Sequence, residues 1–140
     1  MAKRVLIVDD HVPTRTVIRT IIEAEKTEQF EVFEAGTGTE CLEIVDKHGP
    51  FELILLDAIL PDMDGYSVCR ALRQVNTTVA IVFVTVAGDF KDCAKGWEAG
   101  CDSYLVKPIA RTALRSAVRL FTSIARAKHA DLGSQPQGAA

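Results

Sequence analysis

The chain has 140 residues, of which 48% are hydrophobic and 25% are charged, a composition typical of a single globular domain. Its net charge of −3 provides no strong positive field for a nucleic-acid backbone, so we expect no direct contact with DNA or RNA. The sequence contains neither a signal-peptide pattern nor an apolar run of membrane-spanning length, which predicts a cytoplasmic protein that does not enter the membrane.

The first part of the chain alternates between strand and helix patterns. Residues 4–8 form an apolar, β-branched run that ends at Asp9-Asp10, which predicts a strand followed by a pair of carboxylates. Apolar residues at helical spacing predict a helix over about residues 13–24. Residues 30–35 alternate between apolar and polar side chains, as expected of a strand at the edge of a sheet, and a second helix is predicted to end near Lys47.

The middle of the chain contains two runs that predict strands buried on both faces. Residues 53–56 are all apolar, are too few for a helix and are bounded downstream by Gly65. Asp57 then lies at the carboxyl end of this strand. A third helix is predicted after Gly65, and residues 79–84 form another apolar strand that ends at Thr85.

The last part of the chain predicts two helices, a short strand and a tail. The helix over about residues 89–99 is weakened by Gly96, which costs about 1 kcal/mol relative to alanine. Residues 103–106 predict the final strand, and apolar spacing predicts the last helix over about residues 110–128. Residues 129–140 are rich in Gly, Ala, Gln and Pro, which predicts a disordered C-terminal tail or linker.

Five strands that alternate with five helices predict an α/β domain over residues 1–128, with a doubly wound parallel sheet covered on both faces. Right-handed crossovers and an edge position for the second strand give the flavodoxin-like strand order 2-1-3-4-5. Because the carboxyl ends of parallel strands meet at one edge, we expect a single crevice there. The polar residues expected at this edge are Asp9, Asp10, Asp57, Thr85 and Lys107.

This set of side chains suits phosphoryl transfer. Three carboxylates in one crevice repel one another, and a bound Mg²⁺ or Mn²⁺ relieves that repulsion with hard oxygen ligands. The set contains no base that could activate a serine or cysteine, which argues against acyl transfer. It does contain a carboxylate nucleophile, an ammonium and a hydroxyl for a phosphoryl group. From these residues alone, either Asp57 or the Asp9-Asp10 pair could provide the nucleophile.

Four motifs, in their order and spacing, resemble the receiver domain of two-component response regulators over about residues 3–126. The motifs are Val8-Asp9-Asp10, Leu56-Asp57-x-x-Leu60-Pro61-x-Met63-Asp64-Gly65, Val84-Thr85 and Tyr104-x-x-Lys107-Pro108. The resemblance implies that Asp57 is the phosphoacceptor, and that Thr85 and Lys107 contact the phosphoryl oxygens. It also implies a cis bond before Pro108. The implied metal ligands are Asp9, Asp10, Asp57 and the backbone carbonyl of Ile59.

The resemblance further implies a switch rather than a metabolic enzyme. In this family Thr85 moves toward the phosphate and Tyr104 turns inward, which alters the face formed by the fourth helix, last strand and last helix. The implied phosphodonor is a histidine kinase or a phosphotransfer protein. The implied recipient is an effector protein or a fused output domain, and the same face is a possible homodimer contact.

Two other functions share some of these features. A Mg²⁺-dependent aspartyl-phosphate hydrolase of the haloacid-dehalogenase kind also uses an aspartate nucleophile, but its D-x-D-x-T/V pattern does not fit Asp9-Asp10-His11. That class also needs a cap that excludes water, and the chain has no insertion for one. A receiver used only as a phosphorylation-independent interaction module is the other alternative, and the presence of every site residue argues against it.

Several residues depart from the family pattern or are open to a second interpretation. Val86 stands where a small residue is usual and is predicted to slow small phosphodonors. Ile59 and Ala87 offer no group that orients an attacking water, which predicts a long-lived phosphoryl group.

The arginines at positions 111, 115 and 119 form a stripe on the last helix. This stripe is either solvated or a contact for an acidic partner on the output face. The cysteines form no C-x-x-C pair, which indicates buried thiols: Cys41, Cys69, Cys93 and Cys101.

Overall fold

The computed structural model describes residues 2–134, in which strands and helices alternate along the chain. The strands are β1 (Lys3–Val8), β2 (Phe30–Ala35), β3 (Leu53–Leu56), β4 (Ala80–Thr85) and β5 (Ser103–Val106). The helices are α1 (Val12–Glu23), α2 (Gly38–His48), α3 (Gly65–Val75), α4 (Phe90–Ala99) and α5 (Arg111–Ser134). The strands pair in parallel in the order β2-β1-β3-β4-β5, so the predicted doubly wound sheet and its order are confirmed.

The central strands are buried because each sends apolar side chains to both faces of the sheet. Along β3, Ile54 packs toward α2 and α3, whereas its neighbours Leu53 and Leu55 pack toward α1 and α5. All of these side chains are fully buried, and each contributes about 1.5–3 kcal/mol relative to an exposed position. The sheet therefore holds its carboxyl edge rigidly between two apolar layers.

The cysteines are free thiols within the described part of the chain, as predicted. Cys41, Cys69 and Cys101 are buried, and Cys93 is half-buried. Burial raises the pKa of Cys41 to about 12, which keeps this thiol protonated at neutral pH. These residues therefore act as small apolar core residues.

Helix α5 is longer than the sequence pattern predicts, so the expectation that disorder begins at residue 129 is wrong. The helix continues to Ser134, and residues 135–140 of the predicted tail lie outside the described residues. His129 Nε2 lies 2.9 Å from Thr78 Oγ1 just before β4, and this contact ties the added turn to the body of the domain. None of the helices in residues 2–134 combines the length and the apolar content that crossing a bilayer requires.

Candidate functional site

Asp9 and Asp57 lie side by side at the carboxyl edge, because β1 and β3 are neighbours in the sheet. The Asp57 amide donates to Val8 O at 2.9 Å, and the Asp9 amide donates to Ala35 O at 3.0 Å, so backbone pairing continues to both aspartates. Only 3% of Asp9 and 6% of Asp57 is exposed. Two acidic side chains are thus buried next to each other, an arrangement that requires a compensating positive charge.

Lys107 supplies that charge from the end of β5. Its Nζ lies 2.6 Å from Asp9 Oδ2 and 3.1 Å from Asp57 Oδ2. The other oxygen of each carboxylate accepts a backbone amide, from His11 for Asp9 and from Ile59 for Asp57, each at 2.9 Å. Burial lowers the pKa of Lys107, but its hydrogen bonds to both carboxylates outweigh that effect and raise the pKa above its usual value. Lys107 therefore carries its charge at neutral pH.

Thr85 and Lys107 are held at the same edge by the pairing of β4 with β5. The Lys107 amide donates to Thr85 O at 2.8 Å, and the Lys107–Pro108 peptide bond is cis. Thr85 is fully buried, and its Oγ1 accepts the Ala87 amide at 3.3 Å. The ends of four neighbouring strands thus place a hydroxyl, an ammonium and two buried carboxylates at one edge of the sheet.

The oxygen donors at this edge fit a hard divalent cation. Asp10 is exposed, and among residues 2–134 no three Asp, Glu, His or Cys side chains converge closely enough to form a metal-binding group. Mg²⁺, however, usually takes only one or two carboxylates together with carbonyl, water and phosphate oxygens. The carboxylates of Asp9 and Asp57 offer two such oxygens, and the Ile59 backbone lies next to them, since its amide donates to Asp57 Oδ1.

The loop after Asp57 is fixed by two further aspartates whose roles the sequence pattern did not indicate. Asp62 accepts the amides of Gly38 and Thr39 at 2.8 and 2.9 Å and the Thr39 hydroxyl at 2.7 Å. These hydrogen bonds, first those from Thr39, hold the pKa of Asp62 well below its usual range. Asp64 caps α3 by accepting the Ser67 amide at 2.8 Å. The loop is therefore anchored to the starts of two helices.

Gly65 allows this loop to fold back onto the strand end. A Cβ at this position would lie 2.2 Å from Asp57 O and 2.7 Å from Ala58 Cα, so the backbone itself leaves no room for a side chain. The Gly65 amide also donates to Ala58 O at 2.8 Å. The close approach explains why glycine follows Asp64.

We expect Gly65→Ala to lower the free energy of unfolding by about 1–3 kcal/mol, because the added methyl group displaces the backbone after Asp57. Urea denaturation measures this change. Gly36→Ala is the matched control, since its Cβ would meet only Arg15 Nη1 at 3.4 Å. Equal stability of the two variants would contradict the prediction.

Tyr104 extends from β5 toward α4 and is half-buried. Its ring packs on Phe83 with the centroids 5.3 Å apart, and its hydroxyl donates to Ala87 O. Two contacts of this ring were not predicted: a hydrogen bond with Tyr66 and close packing on Gly96. Neither contact has a local sequence signal. The sequence pattern shows Tyr66 only as an apolar residue of α3 and Gly96 only as a residue that lowers the stability of α4.

The arginine stripe does not face the predicted output surface. Arg111 and Arg115 line grooves formed with α1, and Arg119 Nε lies 3.9 Å from Glu25 Oε2 and 4.0 Å from Glu28 Oε2. The stripe therefore runs along the side of α5 that faces α1 rather than the side that faces α4. The helical spacing was predicted correctly, but the assignment of this stripe to the output face was wrong.

Comparisons with known proteins agree with this geometry. Residues 5–119 match the protein family described as "Response regulator receiver domain". The "Probable transcriptional regulator ycf27" of Cyanophora paradoxa is 35% identical over 117 residues, which cover 84% of this chain and 47% of that protein. The "Transcriptional regulatory protein SrrA" of Staphylococcus aureus is 37% identical over 108 residues, 77% of this chain and 43% of that protein. The chain thus spans about half the length of the curated relatives it matches.

Solved structures give the same result. A response regulator receiver domain (CheY-like) from Methanospirillum hungatei superposes with a TM-score of 0.83 at 26% identity, covering 91% of this chain and 99% of that chain. A putative response regulator from Chloroflexus aurantiacus superposes with a TM-score of 0.80 at 30% identity, covering 88% and 99%. Since sequence, fold and strand order agree, the chain belongs to the response regulator receiver family.

Proposed function

We propose that Asp57 accepts a phosphoryl group from a phosphohistidine of a histidine kinase or phosphotransfer protein. The observation that carries this proposal is the pairing of Asp57 and Asp9 around one ammonium, that of Lys107. A structural aspartate is rarely buried beside a second carboxylate, because the repulsion is costly unless the site uses both groups. Phosphoryl transfer uses one as the nucleophile and the other to hold positive charge near it.

The contacts of Asp57 support a different role for each of its oxygens. Oδ1 accepts the Ile59 amide, which fixes the orientation of the carboxylate, and Oδ2 faces Lys107 and performs the attack. The bond between Oδ2 and phosphorus forms while the bond between phosphorus and the donor imidazole breaks, and the imidazole leaves with its electron pair and takes a proton from solvent. The Lys107 ammonium then follows the negative charge to the phosphoryl oxygens, and the Thr85 hydroxyl donates to another of them.

Asp9, Asp57 and the backbone carbonyl of Ile59 would hold Mg²⁺ or Mn²⁺ directly in this reaction, and the exposed Asp10 would hold it through a water molecule. The cation supplies electrostatic neutralisation of the phosphoryl oxygens during transfer. Receiver domains generally bind Mg²⁺ at the acidic phosphorylation site, and the oxygen donors of this chain suit it.

The output is a change in the face formed by α4, β5 and α5, through Thr85 and Tyr104. This face engages an effector protein or a fused output domain, or a second copy of the chain in a homodimer. The relatives named as transcriptional regulators are about twice as long as this chain, so we place the output in transcription, through another domain or protein. Free thiols suit the reducing cytoplasm, which we propose as the site of action.

Incubation with a phosphorylated histidine phosphotransfer protein and Mg²⁺ tests this function. We expect one phosphoryl group per chain, found by peptide mass spectrometry on the peptide that contains Asp57, and no labelling in EDTA. Repeated hydrolysis of phosphate esters would instead support the aspartyl-phosphate hydrolase. A failure to label, with partner binding retained, would support the interaction module.

Val86 flanks the site and should slow phosphorylation by small donors. Val86 is 64% exposed and follows Thr85 directly, and we propose that it narrows the approach to Asp57. We expect Val86→Ala to increase the rate of labelling by acetyl phosphate several-fold while the rate from a protein donor changes less. Val75→Ala, at an exposed valine on α3, is the matched control. An unchanged acetyl phosphate rate would refute the steric role.

The phosphoryl group on Asp57 should last for minutes or longer. Ile59 is 57% exposed beside the site, and neither Ile59 nor Ala87 carries a group that can orient an attacking water. Ile59→Asn or Ala87→Glu should therefore shorten the lifetime, as measured by loss of the label after removal of the donor. A wild-type lifetime of seconds would contradict this prediction.

A further inference from the structure

Tyr66 contacts the switch tyrosine from the first turn of α3. Its ring packs on Phe83 with the centroids 5.2 Å apart, and Phe83 in turn packs on Tyr104 at 5.3 Å. The hydroxyl oxygens of Tyr66 and Tyr104 are 2.8 Å apart, which is a good hydrogen-bond distance. The two phenols therefore meet above one buried phenylalanine ring.

The direction of this hydrogen bond follows from proton counting. A phenol has one proton to donate, and the Tyr104 hydroxyl donates its proton to Ala87 O, because a carbonyl oxygen can only accept. Tyr66 must therefore donate to Tyr104. The chain of hydrogen bonds runs from Tyr66 through Tyr104 to the Ala87 carbonyl, two residues after Thr85.

Gly96 provides the space that the Tyr104 ring occupies. A Cβ at Gly96 would lie 2.7 Å from Tyr104 Cδ2 and 2.9 Å from Cε2, and 3.3 Å from Phe83 Cδ2. Any larger residue at this position of α4 would push on the ring. A glycine that weakens the helix thus has a specific packing function.

From these contacts we propose that Tyr66 is a positioning residue for Tyr104, because its hydroxyl holds the Tyr104 ring inward in the space left by Gly96. The link to signalling rests on the proposed function. The hydrogen bond from Tyr66 stabilises the inward position of the Tyr104 ring relative to the outward one. Phosphorylation of Asp57 then shifts the equilibrium between the inward and outward positions of Tyr104, and Tyr66 sets the populations from which that shift begins.

The tyrosine content of the chain makes a direct test possible. Tyr66 and Tyr104 are the only tyrosines in the sequence, so protein labelled with 3-fluorotyrosine gives two ¹⁹F resonances. In Tyr66→Phe only the resonance of Tyr104 remains, which assigns it directly. This substitution removes the hydroxyl and keeps the ring. We expect the Tyr104 resonance to move toward the shift of denatured protein, with the outward population raised roughly 2- to 10-fold, as the loss of one hydrogen bond implies.

Ser116→Ala is the control, because it removes an exposed hydroxyl from α5, away from this contact. Its Tyr104 resonance should stay at the wild-type position. Gly96→Ala should move the same resonance toward the shift of denatured protein even with Tyr66 intact, since the added methyl group takes the space of the Tyr104 ring. An unmoved Tyr104 resonance in Tyr66→Phe would overturn the proposal.

A double-mutant cycle gives a second, independent readout. In the wild-type background, Tyr66→Phe should raise the unfolding equilibrium constant at a fixed urea concentration by roughly 2- to 10-fold. In a Tyr104→Phe background the increase should be much smaller. Equal effects in both backgrounds would show that the Tyr66 hydroxyl contributes nothing through Tyr104, which would contradict the proposal. Both measurements use unphosphorylated protein, so failure of Asp57 labelling would refute the proposed function and leave this inference standing.

Discussion

Asp57→Asn should abolish phosphorylation of the chain, with labelling from a phosphohistidine donor reduced by at least about a thousandfold. The asparagine side chain has nearly the same shape, and its amide oxygen can still accept the Ile59 amide, although its NH2 group cannot accept from Lys107. Its amide group is neutral and far less nucleophilic than a carboxylate, so the new bond to phosphorus does not form. Labelling is measured by autoradiography or by a phosphate-affinity gel.

Asp46→Asn is the matched control, because it makes the same chemical change at an exposed position on α2. It should label at the wild-type rate. The result also decides which aspartate attacks, a question that the residue types alone leave open. If Asp57→Asn is fully labelled, the nucleophile belongs to the Asp9-Asp10 pair, and the assignment proposed for Asp57 is wrong.

Lys107→Met should destabilise the protein in cation-free buffer by about 2–4 kcal/mol, between the values for exposed and fully buried ion pairs. The substitution keeps the apolar stem and removes the charge. Two buried carboxylates, those of Asp9 and Asp57, are then left without their shared ammonium. Urea denaturation in EDTA and in Mg²⁺ measures the effect, and we expect Mg²⁺ to recover part of the loss by replacing the missing positive charge.

Lys91→Met, at an exposed position on α4, is the control for the loss of a lysine. Its free energy of unfolding should change by less than about 0.5 kcal/mol, and Mg²⁺ should affect it no more than the wild type. If Lys107→Met is as stable as the wild type in EDTA, the two carboxylates do not depend on the ammonium for their charge balance. That outcome would contradict the electrostatic account of the site.

The fold was predictable because its strands have an unusually clear pattern. Residues 53–56 are wholly apolar and fit only a strand with both faces covered, whereas residues 30–35 alternate and fit only an edge. Those two patterns, with the handedness rule, lead to one strand order. The convergence of Asp9, Asp57, Thr85 and Lys107 then follows from the parallel direction of the strands.

Contacts between distant helices and loops were not predictable in this way. Asp62 belongs to a loop pattern, but its partners Gly38 and Thr39 are more than 20 residues away in the sequence. The contact of Tyr66 with Tyr104 likewise depends on how α3 and β5 are placed, which no local pattern encodes. Helix boundaries are also weakly encoded, since Ala130-Asp131-Leu132 are compatible with both a helix and a tail.

Helix α5 begins three residues after Pro108, beside the site, and has 24 residues to Ser134. At 1.5 Å per residue it is roughly 36 Å long, about twice the length of the strands that it packs against. Its start therefore lies beside the site, and its last turns reach the opposite edge of the sheet, where His129 contacts Thr78 just before β4. The helix thus spans the distance between the edge that holds Asp57 and the amino edge of the sheet, so any shift of its first turn is opposed by a contact at its far end.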